Sequence, residues 1–210
     1  MSKIGKKAVK VTAVGKLATV LPVARKGASV EIYAPSLRSL PKGSMLVMAT
    51  LPIIDWNDCL LRDLQSVSKG TRAHMYAAIM MIDPFACWED LAESLKNAGI
   101  LGVINFPPAS MVERSTAGEP VAAGQELELR RMEWFASLGF KILFVAEKDF
   151  DSAERRLGSH LQGIVYLPEK ALALRTCDEM DLVSLGQRGS SMPKFAFSDR
   201  TASRRPVRKK

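Results

Sequence analysis

Short apolar runs alternate with amphipathic stretches along this chain, about six times in all. The clearest example lies between His74 and Pro108. Residues 75–82 are almost continuously apolar, the pattern of a strand buried on both faces. Asp83-Pro84 stops the run, because proline has no N–H for the ladder and pushes its predecessor into extended or turn geometry. Trp88, Leu91, Leu95 and Ala98 then recur at helical spacing, and Gly99 suits the position just past a helix end. Leu101-Gly102-Val103-Ile104 is a second buried strand, ending at Asn105-Phe106-Pro107-Pro108. Strand, helix and strand of this length form one right-handed βαβ unit.

The same rhythm predicts strands at 8–14, closed by Gly15, and at 28–33, stopped by Pro35. Leu17, Val20, Leu21 and Ala24 read as a short helical stripe between them. Residues 45–49 form a short apolar segment, strand or packed loop. A helix capped by Asp55, or by Asn57, turns Leu60, Leu61, Leu64 and Val67 inward. After a polar loop at 109–119, Pro120 suits the first turn of a long helix that Gly139 ends. Strands follow at 141–146 and 163–167, separated by a helix from Asp149 to about Gly158. Residues 181–185 could add one short strand. Strands alternating with helices imply an α/β class with a parallel sheet.

Charge changes this picture only at the ends. The net charge is +8, yet residues 1–16 hold five lysines and no acid, and 188–210 hold eight Lys or Arg against one Asp. The intervening body is mildly acidic, so a basic nucleic-acid-binding fold is not implied. We expect a basic arm at 1–7, a single α/β domain at 8–187 and a disordered basic tail from 188 to 210. No apolar run reaches membrane-spanning length, and the first residues show no leader-like apolar region with a cleavage site, so no secretory leader is expected. Cys59, Cys87 and Cys177 are scattered without metal-ligand spacing, so the cytoplasm is the expected compartment.

Several landmarks, in order, resemble the phosphoenolpyruvate hydrolase-like family of TIM-barrel signal-transduction proteins. They are Glu31-Ile32-Tyr33, Lys42-Gly43-Ser44, Leu51-Pro52 with Asp55 and Asn57, Asp83-Pro84-Phe85, and Gly102-Val103-Ile104-Asn105-Phe106-Pro107. Glu126 and Glu128 fall where the family has a Glu-Val-Glu helix, and the match covers roughly residues 8–168. The resemblance implies a TIM-barrel-like parallel βα repeat, incomplete here at six to seven clear strands. It also implies a phosphoenolpyruvate-like substrate. The chain departs from the family's pattern in four places. Tyr33-Ala34-Pro35-Ser36 stands where the family has Tyr-Asn-Ser-Gly. One glycine, Gly15, stands where the family has a Gly-rich loop; Tyr166-Leu167-Pro168-Glu169 replaces a His-Met-Gly segment; and the last βα units are missing or reduced.

Polar residues just past strand ends line one mouth of such a barrel, where ligands bind. Here they are Ser36, Asp83, Asn105, Glu147 and Lys148. Asp83 and Glu147 are the catalytic candidates: either could act as a base or hold a divalent metal, the one cofactor the residue types suggest. Ser36, Asn105 and Lys148 would bind substrate, Lys148 by balancing a carboxylate or phosphate. Asp83 and Asn105 also suit turns and helix caps on local grounds alone. His74 and His160 lack a neighbouring acid or nucleophile and read as surface or capping residues. Cys87 reads first as a buried structural thiol, with a helix-start thiol of lowered pKa as the alternative. Glu126 and Glu128, beside Arg130 and Arg131, read as a solvated charged face.

Two functions remain open. One is an enzyme of hydrolase or lyase type, binding or converting a small phosphorylated or carboxylated metabolite. The other is a catalytically inactive regulatory or interaction protein that keeps the scaffold, its basic tail contacting nucleic acid or another polyanion. An incomplete barrel would leave open strand edges, so a homodimer or larger homo-oligomer is expected, without membrane association.

Overall fold

The computed structural model describes residues 13–21, 30–40, 43–44, 55–67, 70, 72–112, 122–147, 151–167, 179–186 and 192–198. The strands are β1 (Ala13–Ala18), β2 (Val30–Tyr33), β3 (Arg72–Ile79), β4 (Ile100–Asn105), β5 (Lys141–Ala146), β6 (Leu161–Tyr166), β7 (Glu179–Ser184) and β8 (Lys194–Ser198). The helices are α1 (Trp56–Gln65), α2 (Trp88–Asn97), α3 (Ala122–Ser137) and α4 (Asp151–Leu157). The strands close into one barrel in the order β1-β2-β3-β4-β5-β6-β8-β7. Strands β1 to β6 run parallel, and β8 joins β6 in parallel. Strand β7 runs against both β8 and β1.

The expected TIM-barrel-like α/β repeat, incomplete at six to seven strands, is corrected by this topology. The barrel is closed, mixed and eight-stranded, with few helices. The reason lies in the connection after β7. Nine residues, 185–193, separate β7 from β8, too few for the crossover of a dozen or more that parallel neighbours require. The two strands therefore pair antiparallel. Strand β8 falls within the stretch read as a disordered tail, so that boundary is corrected too. Its Lys-Phe-Ala-Phe-Ser alternation, in a Ser- and Arg-rich setting, buries Phe195 and Phe197 inside the barrel. Closure also removes the open edges from which a homo-oligomer was argued. Residues 17 and 18, read as the start of a helix, belong to β1 because Leu17 is an inward-facing strand residue. The 1–7 arm, residues 8–12, the 45–49 segment, Pro120, Asp149 and residues 199–210 lie outside the described residues.

Other elements follow their local signals. Asp55 caps α1, its carboxylate accepting the Asp58 N–H at 2.8 Å. Gly99 and Gly139, with φ of 73° and 87°, end α2 and α3 in the left-handed region that favours glycine. Alternate strand residues build two apolar layers. Leu17, Ile32, Tyr76, Ala78, Ile104, Leu143, Val145 and Val165 pack inside the barrel with residues of β7 and β8. Met75, Ala77, Ile79, Val103 and Ile142 face outward, against α1, α2 and α3 residues such as Leu60, Leu95 and Phe135. Among the described residues no helix is long and apolar enough to cross a membrane.

Outside the barrel, Arg156 on α4 bridges Glu126 and Glu133 of α3 at 2.7 and 2.5 Å. Hydrogen bonds from Arg156 hold both carboxyls below their usual range.

Two expectations follow from this packing. A Cβ at Gly102 would sit 2.5 Å from the Tyr76 ring and 2.9 Å from the Met75 carbonyl oxygen. Gly102→Ala should therefore cost about 1–3 kcal/mol in urea unfolding, with partial recovery when Tyr76→Leu is added. The carboxyls bridged by Arg156 have folded-state pKa values below their unfolded ones, so their stabilisation is present above about pH 5 and fades as pH falls through the folded values. Arg156→Ala should flatten the loss of thermal stability between about pH 5 and pH 3; an unchanged slope would show the bridge contributes nothing.

Candidate functional site

Among the described residues, an aromatic and apolar cluster packs at the carboxyl ends of the parallel strands. Phe106, immediately after β4, packs its ring 5.9 Å from Trp56 and 5.6 Å from Phe197. Leu37, Met111 and Leu167 join the same buried cluster. Trp56, the first residue of α1, is pinned there because its indole N–H donates to the Ala78 carbonyl at 3.1 Å. Four of the five rim residues read from the sequence, Ser36, Asp83, Asn105 and Glu147, are among the described residues.

Ser36 is buried in the 3₁₀ turn Pro35–Ser39, and its hydroxyl donates to the Trp56 carbonyl at 2.7 Å. It positions Trp56. Asn105 is fully buried, and its amide bonds Val145 in both directions. It donates to the Val145 carbonyl at 3.2 Å and accepts the Val145 N–H at 2.7 Å. The side chain thus extends the β4–β5 ladder past the end of β4. Glu147 stands two residues beyond Val145, half-buried, with Oε1 out of solvent. Lys148 lies outside the described residues.

Asp83 lies on the loop between β3 and α2. One carboxylate oxygen accepts the Asn57 amide at 2.9 Å and the other accepts the Phe85 N–H at 2.9 Å. Asn57 also donates to the Met80 carbonyl at 2.9 Å and accepts the Met80 N–H at 3.0 Å. From α3, Arg131 donates to the carbonyls of Met81 and Asp83, the latter at 2.9 Å, and lies 4.2 Å from the Trp88 ring centroid. Burial lowers the pKa of this guanidinium, and the Asp83 charge opposes that shift. The loop is therefore braced from both sides. Ser36 and Asp83 tie to the first two residues of α1; Asn105 ties to β5.

At the tip of this braced loop Phe85 is 85% exposed. Beside it the N-terminal turns of α1 and α2 enclose a cavity of about 140 Å³, with Leu61, Leu91 and Ala86 as its apolar wall. Asp55, Asp58 and Cys87 line the rest. Cys87 is exposed, correcting its reading as a buried thiol: the N-cap position turns it away from the inward stripe of Leu91, Ala92 and Leu95. His74 and His160 are both exposed. Among the described residues no group of three or more His, Cys, Asp or Glu could hold a metal ion.

Asn57, Arg131 and Glu128 hold the rim through contacts that their sequence context does not announce. Glu128, read as part of a solvated face, is 3% exposed and accepts the Ala109 N–H at 2.9 Å. The signal was available in spacing: 128, 132 and 135 share one helical face with buried Met132 and Phe135. Glu126, on the other face, is exposed as expected.

Asn105→Leu should orphan the Val145 N–H and carbonyl in a dry setting and cost about 2–4 kcal/mol in urea unfolding. Asn57→Ala, which strips Met80 and Asp83 together, should cost as much. A loss below about 0.5 kcal/mol in either would mean that these bonds are not the role of the side chain.

No family model matches the chain. Over 141 residues it is 27% identical to the uncharacterized protein y4oT of Sinorhizobium fredii, an alignment covering 65% of this chain and 70% of that protein.

Proposed function

We propose that this protein is a regulatory or interaction protein of the cytoplasm, a divergent relative of the phosphoenolpyruvate hydrolase-like proteins that keeps a barrel as scaffold and recognises partners on its outer rim. The observation that carries this reading is the aromatic cluster packed at the barrel mouth. Phe106, Trp56 and Phe197 occupy the place where a substrate would enter, and Ser36 and Asn105 are committed to backbone partners. The rim offers a recognition element instead. Phe85 is presented on a loop held by Asn57, Asp83 and Arg131, so little ordering entropy is lost when a partner covers it. The free thiols of Cys59 and Cys87 accord with a reducing compartment.

Thermal unfolding of the full chain tests the reading. A ligand at one hundred times its Kd adds about 2.7 kcal/mol of stability. For a chain of this size that is a rise in Tm of roughly 5–10 °C. Millimolar phosphoenolpyruvate, with or without Mg²⁺, should produce no such rise. A rise that Glu147→Gln abolishes would restore the enzyme reading. Phe85→Ser should leave Tm within about 1 °C, because a side chain this exposed contributes little to the fold.

A further inference from the structure

We infer that the face formed by Phe85 and the first turns of α1 and α2 docks a cationic segment of a partner protein, one that carries Lys or Arg beside a bulky apolar side chain. The inference rests on the rim-recognition reading and names the chemistry of the partner. Two observations on the same face carry it: an open apolar seat and a surplus of negative charge.

Phe85 is 85% exposed in the full chain. Its loop is fixed, since the Asp83 carboxylate accepts the Phe85 N–H at 2.9 Å. Beside it the cavity of about 140 Å³ is walled by Leu61, Leu91 and Ala86. Pockets that enclose whole small molecules run to about 300–1,000 Å³, so this one suits a single side chain. An aliphatic side chain seated there packs on Leu61 and Leu91, and its neighbours on the partner meet Phe85. An aromatic ring attracts a cation over its face.

Charge selects the same cation. Residues 55–59 and 87–91, the starts of the two helices, hold Asp55, Asp58, Glu89 and Asp90 and no Lys or Arg. Asp55, Glu89 and Asp90 are exposed and Asp58 is half-buried. Asp55 and Asp58 line the cavity itself. Arg62 pairs with Asp58 at 2.8 Å. Each helix start adds about half a positive charge, so the four carboxylates leave about two net negative charges on this face. Arg131 is turned away onto Met81, Asp83 and Trp88. A second copy would present the same sign, and a phosphate-bearing surface would be repelled. A cationic segment is steered in, and its apolar side chain fixes the register.

A library of random peptides displayed on phage, selected against the full chain, tests the assignment. The selected peptides should carry several Lys or Arg around an aliphatic or aromatic residue. As synthetic peptides followed by fluorescence anisotropy, they should lose affinity several-fold from about 0.1 to about 1 M salt, as the screening length drops from about 10 to about 3 Å. Phe85→Ser should weaken binding at least tenfold, and so should Asp55→Asn combined with Asp58→Asn. That pair keeps α1 capped, because Asn caps a helix start about as well as Asp. Bound peptide should slow alkylation of Cys87 several-fold, since this thiol is exposed and lines the cavity. Peptides that need Phe85 but are neutral or acidic, or are indifferent to the carboxylate pair, would overturn the cationic partner and leave the rim reading standing. Peptides indifferent to Phe85→Ser, peptides that leave Cys87 fully reactive, or no selected peptide at all would overturn both. None of these outcomes bears on the phosphoenolpyruvate test, which reads the barrel mouth.

Discussion

Barrel closure is the constraint on which the rest of this structure depends. Eight strands can close only if every inward side chain finds a place in a shared interior, and the glycines show how tightly that interior is filled. Gly102 leaves room for the Tyr76 ring, and Gly163 leaves room for Phe195. Gly15 lets β1 approach the Val30 carbonyl, which a Cβ would meet at 2.3 Å. Among the described residues, apolar side chains pack the interior from the Tyr76 level up to Phe106. Burial raises the pKa of the Tyr76 hydroxyl, as a phenol inside such a core requires.

This filling decides what the rim can do. At the carboxyl end of a parallel barrel, polar residues are ordinarily held toward a ligand by the strands beneath them. Here the same positions brace the structure. Ser36 anchors Trp56, Asn105 continues the ladder to Val145, and Asp83 ties the β3–α2 loop to α1. Each is buried and bonded to atoms of the protein itself, which is what a polar group in a dry setting needs in order not to destabilise it. The consequence is a displacement of exposed chemistry outward. Phe85, Asp55, Asp58 and Cys87 face solvent on the flank of α1 and α2, supported by a network whose members are themselves out of reach.

Arg131 shows how the outer helices take part. It reaches from α3 to two carbonyls of the β3–α2 loop and lies over Trp88 at the start of α2. One side chain therefore links three elements, and the Asp83 charge opposes the burial that disfavours its guanidinium. Glu128, one turn earlier on α3, ties the helix to the segment after β4 through the Ala109 N–H. The loops of the rim are thus held by α3 as firmly as by the strands from which they emerge.

Most local elements are legible in the residues alone. Strands β2 to β6 lie within a few residues of the apolar runs at 28–33, 75–82, 101–104, 141–146 and 163–167, and Asp55, Gly99 and Gly139 end or begin helices as their chemistry requires. Residues 181–185 overlap β7, but neither its direction nor its place between β8 and β1 could be read. Periodicity reports burial, and a strand buried on both faces looks the same whether its neighbour runs with it or against it. Strand β8 was hidden because composition averages over a window, and its five residues sit among serines and arginines. The rim residues were legible as polar groups at strand ends; their roles were not. Whether Asn105 points to a ligand or closes on Val145, and whether Glu128 is solvated or buried against Ala109, depends on partners tens of residues away. Only the tertiary structure, which brings those partners within hydrogen-bonding distance, could decide it.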